Sequence, residues 1–327
     1  MRVIPCPEHF SARSSALSVS AFRSAVFLFF LLFIHPTDFS AQQADQKNAP
    51  RFQWPLIRGV YPEIKGITST FGESRIDHFH NGVDVSGLNL PVKPLASGRF
   101  IFSRIPEDRP FSPELGPGRL VILAHEGGWG SGYYHLKRLG PRREGLLSRE
   151  ETLGAAGNSG RSLGAHLHFF LTRDFFRVFV NPLLYLPKAR ENRAPVIGQL
   201  ALFTGDARKT LIAHSLPENI RLTKPYPVHV ILLDPGLEKS SRRGVYRLSW
   251  RLNDGSTRTL RFDRLTLSGK EWKLNGEKTF AGVFREGFYL LDGLEFQNGK
   301  NILRIVAEDI AGNKSEAIFD VTVRKEY

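Results

Sequence analysis

The shortness of the apolar runs constrains this chain more than any other feature. From Trp54 onward, stretches such as GITSTFG, NGVDVSG, SGRFIFS, GRLVILAHEGG, GYYHL and AHLHFFL break at a glycine or proline before a helix could develop. The 327 residues include 30 glycines and 20 prolines, and no stretch sustains the apolar period of a helix. Val, Ile and Phe between turn residues are what short strands require. An all-β chain is predicted, with an antiparallel sheet in its first large segment.

A shift of composition divides the chain. PKARENRAP (187–195) concentrates prolines and charges and marks a boundary. Beyond it, PYPVHVILLD, GVYRLSWRL, STRTLRFDRLTL, EGFYLLDG, KNILRIVAED and EAIFDVTV alternate or run apolar between turn signals, the pattern of a β-sandwich. The 23 residues NILRIVAEDIAGNKSEAIFDVTV resemble the last hairpin of bacterial immunoglobulin-like domains. The expected division is a targeting segment 1–41, a polar linker 42–53, a first domain 54–190 and a β-sandwich 191–327.

Residues 1–41 read as a signal peptide. Arg13 and Arg23 precede a ten-residue apolar run, Ala25 to Ile34, which is too short to span a bilayer core of about 30 Å. Cleavage is expected after Ala41, with Phe39 standing where a small residue is preferred. Export is therefore predicted, to the periplasm, the cell envelope or the medium, with no stable transmembrane span. The single cysteine, Cys6, leaves with this segment, so disulfides and thiol chemistry are excluded from the remainder. The formal charge is +13; removing three arginines with Glu8 and Asp38 leaves +12. A basic exported protein suits an anionic envelope polymer or membrane surface, and export removes nucleic acid as a partner. Exposed basic runs such as SRR (241–243) are read as solvated surface.

Six of the ten histidines lie between residues 78 and 168. In HLH, His166 and His168 share one face of a strand while Leu167 points into the other layer. In HNGVD, His80 and Asp84 flank a glycine that lets the backbone turn. In GYYHLKRL, His135 follows two tyrosines. Neutral imidazole and carboxylate are good ligands for zinc, whose catalytic sites use three protein donors and leave one position for water. His80, Asp84 and one histidine of HLH make such a set. Each piece alone fits an ordinary turn or a packed histidine; together they call for chemistry.

The three pieces in this order resemble the lysostaphin/LytM-type zinc endopeptidases that cut peptide bridges of bacterial cell walls. The family pattern is His-x-x-x-Asp, then Tyr-x-His-Leu, then a glycine-rich run ending in His-Leu-His. Here these are HNGVD (80–84), YYHL (133–136) and GNSGRSLGAHLHF (157–169), flanked by ITSTFGESR (67–75), PVKPLASGRF (91–100) and VNPLLYL (180–186). The resemblance covers residues 54–187. It implies one Zn2+ per chain on His80, Asp84 and His168, with His135 and His166 as the catalytic histidines, either of them the general base. It also implies peptidoglycan peptides as substrate. Phe170 stands where the family commonly has Glu, which implies an altered surround for the metal. His78 is expected to be an exposed neighbour and His125 a strand-end residue. The alternative within the same fold is a non-catalytic protein that binds wall or activates a separate hydrolase.

Overall fold

Alternation of large apolar residues with polar ones produces strands that bury one face, and both bodies of the molecule are built this way. The computed structural model describes residues 49–56, 66–105, 116–141, 144–189, 191–204, 209–214, 217–235 and 242–327. The targeting segment and most of the 42–53 stretch lie outside the described residues. Ala44–Tyr327 form one compact unit. Among the described residues, no helix is long and apolar enough to cross a membrane.

As predicted, the described residues are nearly all β. A twelve-stranded antiparallel sheet has the His166–Arg173 strand near its centre. On one side that strand pairs with Gly130–Leu139, followed by Arg119–Ala124, Gly98–Arg104 and Leu146–Leu147. Its other neighbours are Val83–Ser86 and Val178–Val180, which meet it at successive positions along its length. The core behind this sheet includes Leu95, Leu123, Tyr133, Leu136, Leu167, Phe169 and Leu171. Phe52, at the end of the polar stretch, is buried there with Trp54.

Beyond residue 195, two further sheets enclose a second core. One is built on Val196–Phe203 and Val228–Pro235, the other on Arg247–Leu252, Gly299–Glu308 and Lys314–Lys325. Leu200 and Val230 of the first meet Leu248, Ile305, Phe319 and Val321 of the second in one apolar cluster. The Gly299–Glu308 and Lys314–Lys325 strands form the hairpin expected from NILRIVAED and EAIFDVTV. Asp309 closes its turn, accepting bonds from Gly312 N (2.7 Å) and Asn313 N (2.9 Å).

The two bodies interlock. Strand Arg264–Ser268 leaves the second to pair with Val178–Val180, extending the large sheet, and Glu271–Leu274 pairs with it in turn. In the opposite direction, Phe71 and Phe79 of the first segment are buried in the second core. The SRR run departs from its expected role. Arg243 is buried, with Nη2 donating to Glu191 Oε1 at 2.7 Å and Asp234 Oδ1 at 3.2 Å. A guanidinium can leave water there because two carboxyl oxygens and the Pro235 carbonyl accept its N–H groups.

Candidate metal centre and its histidines

Strand register assembles the site. In the antiparallel pairing of His166–Arg173 with Val83–Ser86, His168 stands opposite Asp84, so both side chains rise from the same face. Leu167 points the other way and is fully buried, as the alternation requires. His80 enters from the end of a two-stranded hairpin, Ser74–Arg75 with His78–Phe79. Its ring is fixed because Nδ1 lies 2.7 Å from the Thr70 carbonyl oxygen. A carbonyl can only accept, so Nδ1 carries the proton and Nε2 presents a lone pair.

Three donor atoms then converge. His80 Nε2 and His168 Nδ1 are 3.0 Å apart, and they lie 3.1 Å and 2.8 Å from Asp84 Oδ1. All three residues are buried. A neutral imidazole nitrogen and a carboxylate oxygen facing each other at this distance repel unless a positive charge, proton or metal, lies between them. The donor set of two imidazoles and one carboxylate fits a divalent ion of borderline softness. These three residues form a group able to hold a metal ion. Burial opposes charge on all three. Against it, His80 and His168 hold the Asp84 carboxyl well below the usual range, and Asp84 raises His80. Burial wins at His168, whose imidazole falls to about 4 even beside Asp84. Neutral His168 keeps its lone pair for a ligand bond.

The other two histidines face the same space. His135 Nδ1 donates to the Ser159 carbonyl at 2.8 Å, and His166 Nδ1 to the Gly164 carbonyl at 2.8 Å. Both Nε2 atoms are thereby left as acceptors. His166 Nε2 is 3.9 Å from Asp84 Oδ1, and the rings of His135 and His166 are 4.8 Å apart. Burial lowers the His135 imidazole below its ordinary 6.5, keeping it neutral at neutral pH. Its backbone is left-handed, with φ at +61°, a conformation that costs a β-substituted residue about 1–3 kcal/mol and is tolerated where the surroundings enforce it.

All five residues singled out in the sequence are thus together. His78 is exposed beside Asp77, and His125 is buried just past the end of the Arg119–Ala124 strand, bonded to Ser97 O and Ser131 Oγ. Phe170 faces Tyr134, whose ring stacks on His168 at 5.2 Å. The aromatic side chain thus gives the centre an apolar flank. Gly82 has a different reason from the expected turn. Its φ is not left-handed, but a Cβ there would stand 2.8 Å from His168 Cε1 and collide with the Phe169 carbonyl.

Four supporting residues were not singled out. Ser159 orients His135 through its carbonyl, and its hydroxyl donates to Leu136 O at 2.8 Å. Thr70 orients His80, and Arg75 Nη2 donates to Asp84 Oδ2 at 3.1 Å. Glu73 braces the turn between them. Ser159 falls within the glycine-rich motif and Thr70, Glu73 and Arg75 within ITSTFGESR, so the motif text contained them without stating their contacts. A second carboxylate group, Glu191, Asp234 and Asp309, also lies close enough to hold a cation. Arg243 already supplies the positive charge there.

Residues 195–324 match one family model, and residues 78–182 match that of peptidase family M23. Peptidoglycan DD-endopeptidase ShyA of Vibrio cholerae serotype O1 is 29% identical over 138 residues, 40% of this chain and 28% of that protein. ShyB of the same organism is 24% identical over 136 residues, 41% of this chain and 26% of that one. The chain therefore spans little more than a quarter of the length of these curated relatives. Among solved structures, a zinc-containing peptidase from V. cholerae aligns at 23% identity over 43% of this chain and 41% of that one, with a TM-score of 0.34. The catalytic domain of lysostaphin from Staphylococcus simulans aligns at 24% over 33% and 79%, with a TM-score of 0.29. The segment 78–182, which matches the model of peptidase family M23, holds all five residues of the candidate site.

Proposed function

We propose that this protein is an exported zinc-dependent endopeptidase that hydrolyses peptide cross-links of bacterial peptidoglycan. The observation that carries the reading is the convergence of His80 Nε2, Asp84 Oδ1 and His168 Nδ1 beside two imidazoles whose Nδ1 atoms are tied to carbonyls. The kinship to two peptidoglycan DD-endopeptidases supports the substrate class.

His80, Asp84 and His168 would hold the ion. When bound, zinc supplies Lewis acidity, lowering the pKa of a coordinated water to about 7 and polarising a carbonyl. The chain's own residues do the rest. Burial keeps His135 neutral, so its Nε2 accepts a proton from the attacking water and returns it to the leaving amine. His166 Nε2, on the same face, donates a hydrogen bond to the developing oxyanion when protonated. Arg75 holds the second Asp84 oxygen and prevents that carboxylate from rotating. The basic charge of +12 on residues 42–327 favours residence at anionic envelope polymers.

Purified residues 42–327 incubated with isolated peptidoglycan, with and without a chelator, test the proposal. Chelator-sensitive release of muropeptides from one bond type is the expected outcome. Stoichiometric zinc with no cleavage would instead indicate the non-catalytic wall-binding or activating alternative.

A further inference from the structure

The turn that carries His80 is held from the far side by the second body. Phe79 meets Phe280 and Phe284 edge-on or tilted at 5.3 and 5.9 Å, and Phe71 is buried in the same cluster. Gly72, with φ at +82°, lies so close to Phe262 that a Cβ would come within 2.5 Å of its ring. The polar contact is more specific. Glu73 is buried, a costly position for a carboxylate unless donors surround it. Its donors are Ser69 Oγ (2.5 Å), Thr70 N, Thr70 Oγ1 (2.9 Å) and, 171 residues away in sequence, Gly244 N (3.1 Å). Gly244 N also lies 3.0 Å from Thr70 Oγ1. The Thr70 hydroxyl, with one proton to give, stands between Glu73 and the Gly244 carbonyl at 3.2 Å.

Glu73 touches the supports of two site residues at once. Thr70, which it braces, holds the His80 ring. Arg75, 3.5 Å from Glu73 Oε2, holds Asp84. Gly244 follows Arg243, which is anchored on Glu191 and Asp234, so its position is set by the second body. There is no room to shift: a Cβ on Gly244 would lie 2.8 Å from Glu73 Cγ.

We infer that Glu73, clamped by Gly244, is a positioning residue through which the C-terminal body sets His80 and Asp84 for metal binding. The inference rests on reading His80, Asp84 and His168 as a metal centre. It gives the C-terminal body a task inside the molecule: the hairpin bearing His80 has its back in the second core, and the carboxylate that organises its turn is completed by a backbone N–H from that body.

Zinc affinity of residues 42–327, measured by competition with a chromophoric chelator, tests this together with unfolding temperature of the chelator-treated protein. Glu73→Ala is expected to weaken zinc binding by about 10–100-fold, the usual loss when a residue supporting a ligand is removed. Glu73→Gln, which keeps shape and one acceptor, is expected to lose less. Gly244→Ala, far in sequence from every ligand, is expected to lose about tenfold. Ile305→Val, in the second core but away from the turn, should lower the unfolding temperature and leave zinc affinity unchanged. If Glu73→Ala does not fold, Glu73→Gln and Gly244→Ala carry the comparison. Unchanged affinity in Gly244→Ala and Glu73→Gln would overturn the inference, as would an equal loss in Ile305→Val. A wild-type protein that binds no zinc would overturn the metal-centre reading, and this inference with it. Wild-type binding with unaffected variants overturns the inference alone.

Discussion

Gly82 is a glycine because the ring of His168 and the carbonyl of Phe169 occupy the space a side chain would need. Gly82→Ala is therefore expected to cost about 1–3 kcal/mol, the usual penalty of overpacking, and to displace His168. Thermal unfolding and zinc stoichiometry measured together would show both effects; a variant with native stability and full zinc would refute the packing argument. His135 poses the complementary case, a left-handed residue whose imidazole is bonded to the Ser159 carbonyl. Asparagine tolerates that conformation and can donate to Ser159 O. His135→Asn is expected to retain the wild-type unfolding temperature while hydrolysis falls by about 10²–10⁴, the range for loss of a general base. At this scale the sequence was informative about identity. HxxxD, YYHL and HLH named five candidate residues, which the fold brings together, because each lies in a local pattern. It was silent on Ser159, Thr70, Glu73 and Arg75 as supports, because their task lies in hydrogen bonds to residues distant in the chain.

At the scale of elements, the junction of Val228–Pro235, Arg242–Arg243 and the terminal hairpin shows how charge is buried in this fold. Asp234 is pushed by burial up to about 8; Arg243 opposes the rise, while Glu191 and Asp309 reinforce it. A carboxyl raised from 3.8 favours the folded state when protonated. Its contribution is fully present below pH 3.8 and is lost as pH rises through about 8. Stability is therefore expected to decline over that window, and Asp234→Asn, a permanent mimic of the protonated form, should flatten the decline. Unfolding temperatures of the two proteins across this pH range provide the measurement, and identical slopes would contradict the assignment. The strands themselves were legible from apolar runs between turn residues. Their partners were not. That Arg264–Ser268 would extend the first sheet, or that Arg243 of SRR would be buried against Glu191, depends on partners 52 to 88 residues apart. No local periodicity encodes such pairings.

For the whole molecule, the interlocking of the two cores predicts that Ala44–Tyr327 unfolds as a unit. Phe71 and Phe79 are buried in the second core and the half-buried Phe179 packs against it; a fully buried aromatic contributes about 1.5–3 kcal/mol by area. A fragment ending at residue 190 would expose these three rings and the edge of Val178–Val180. It is expected to be aggregation-prone and to bind zinc more weakly than the full chain. Calorimetry of residues 42–327 is expected to show one cooperative transition; two separated transitions would mean that the bodies are energetically independent.

The sequence by itself determined the all-β class and the local patterns that carry the five candidate residues. Those properties follow from side-chain alternation and from short motifs, both local in sequence. Tertiary structure alone decided that His168 and Asp84 stand opposite one another, that the Nδ1 atoms of His135 and His166 are tied to backbone carbonyls, and that Glu73 is completed by Gly244. Register, ring orientation and the satisfaction of a buried carboxylate are properties of atoms brought together from distant positions. They acquire definite values only when both cores have closed around them.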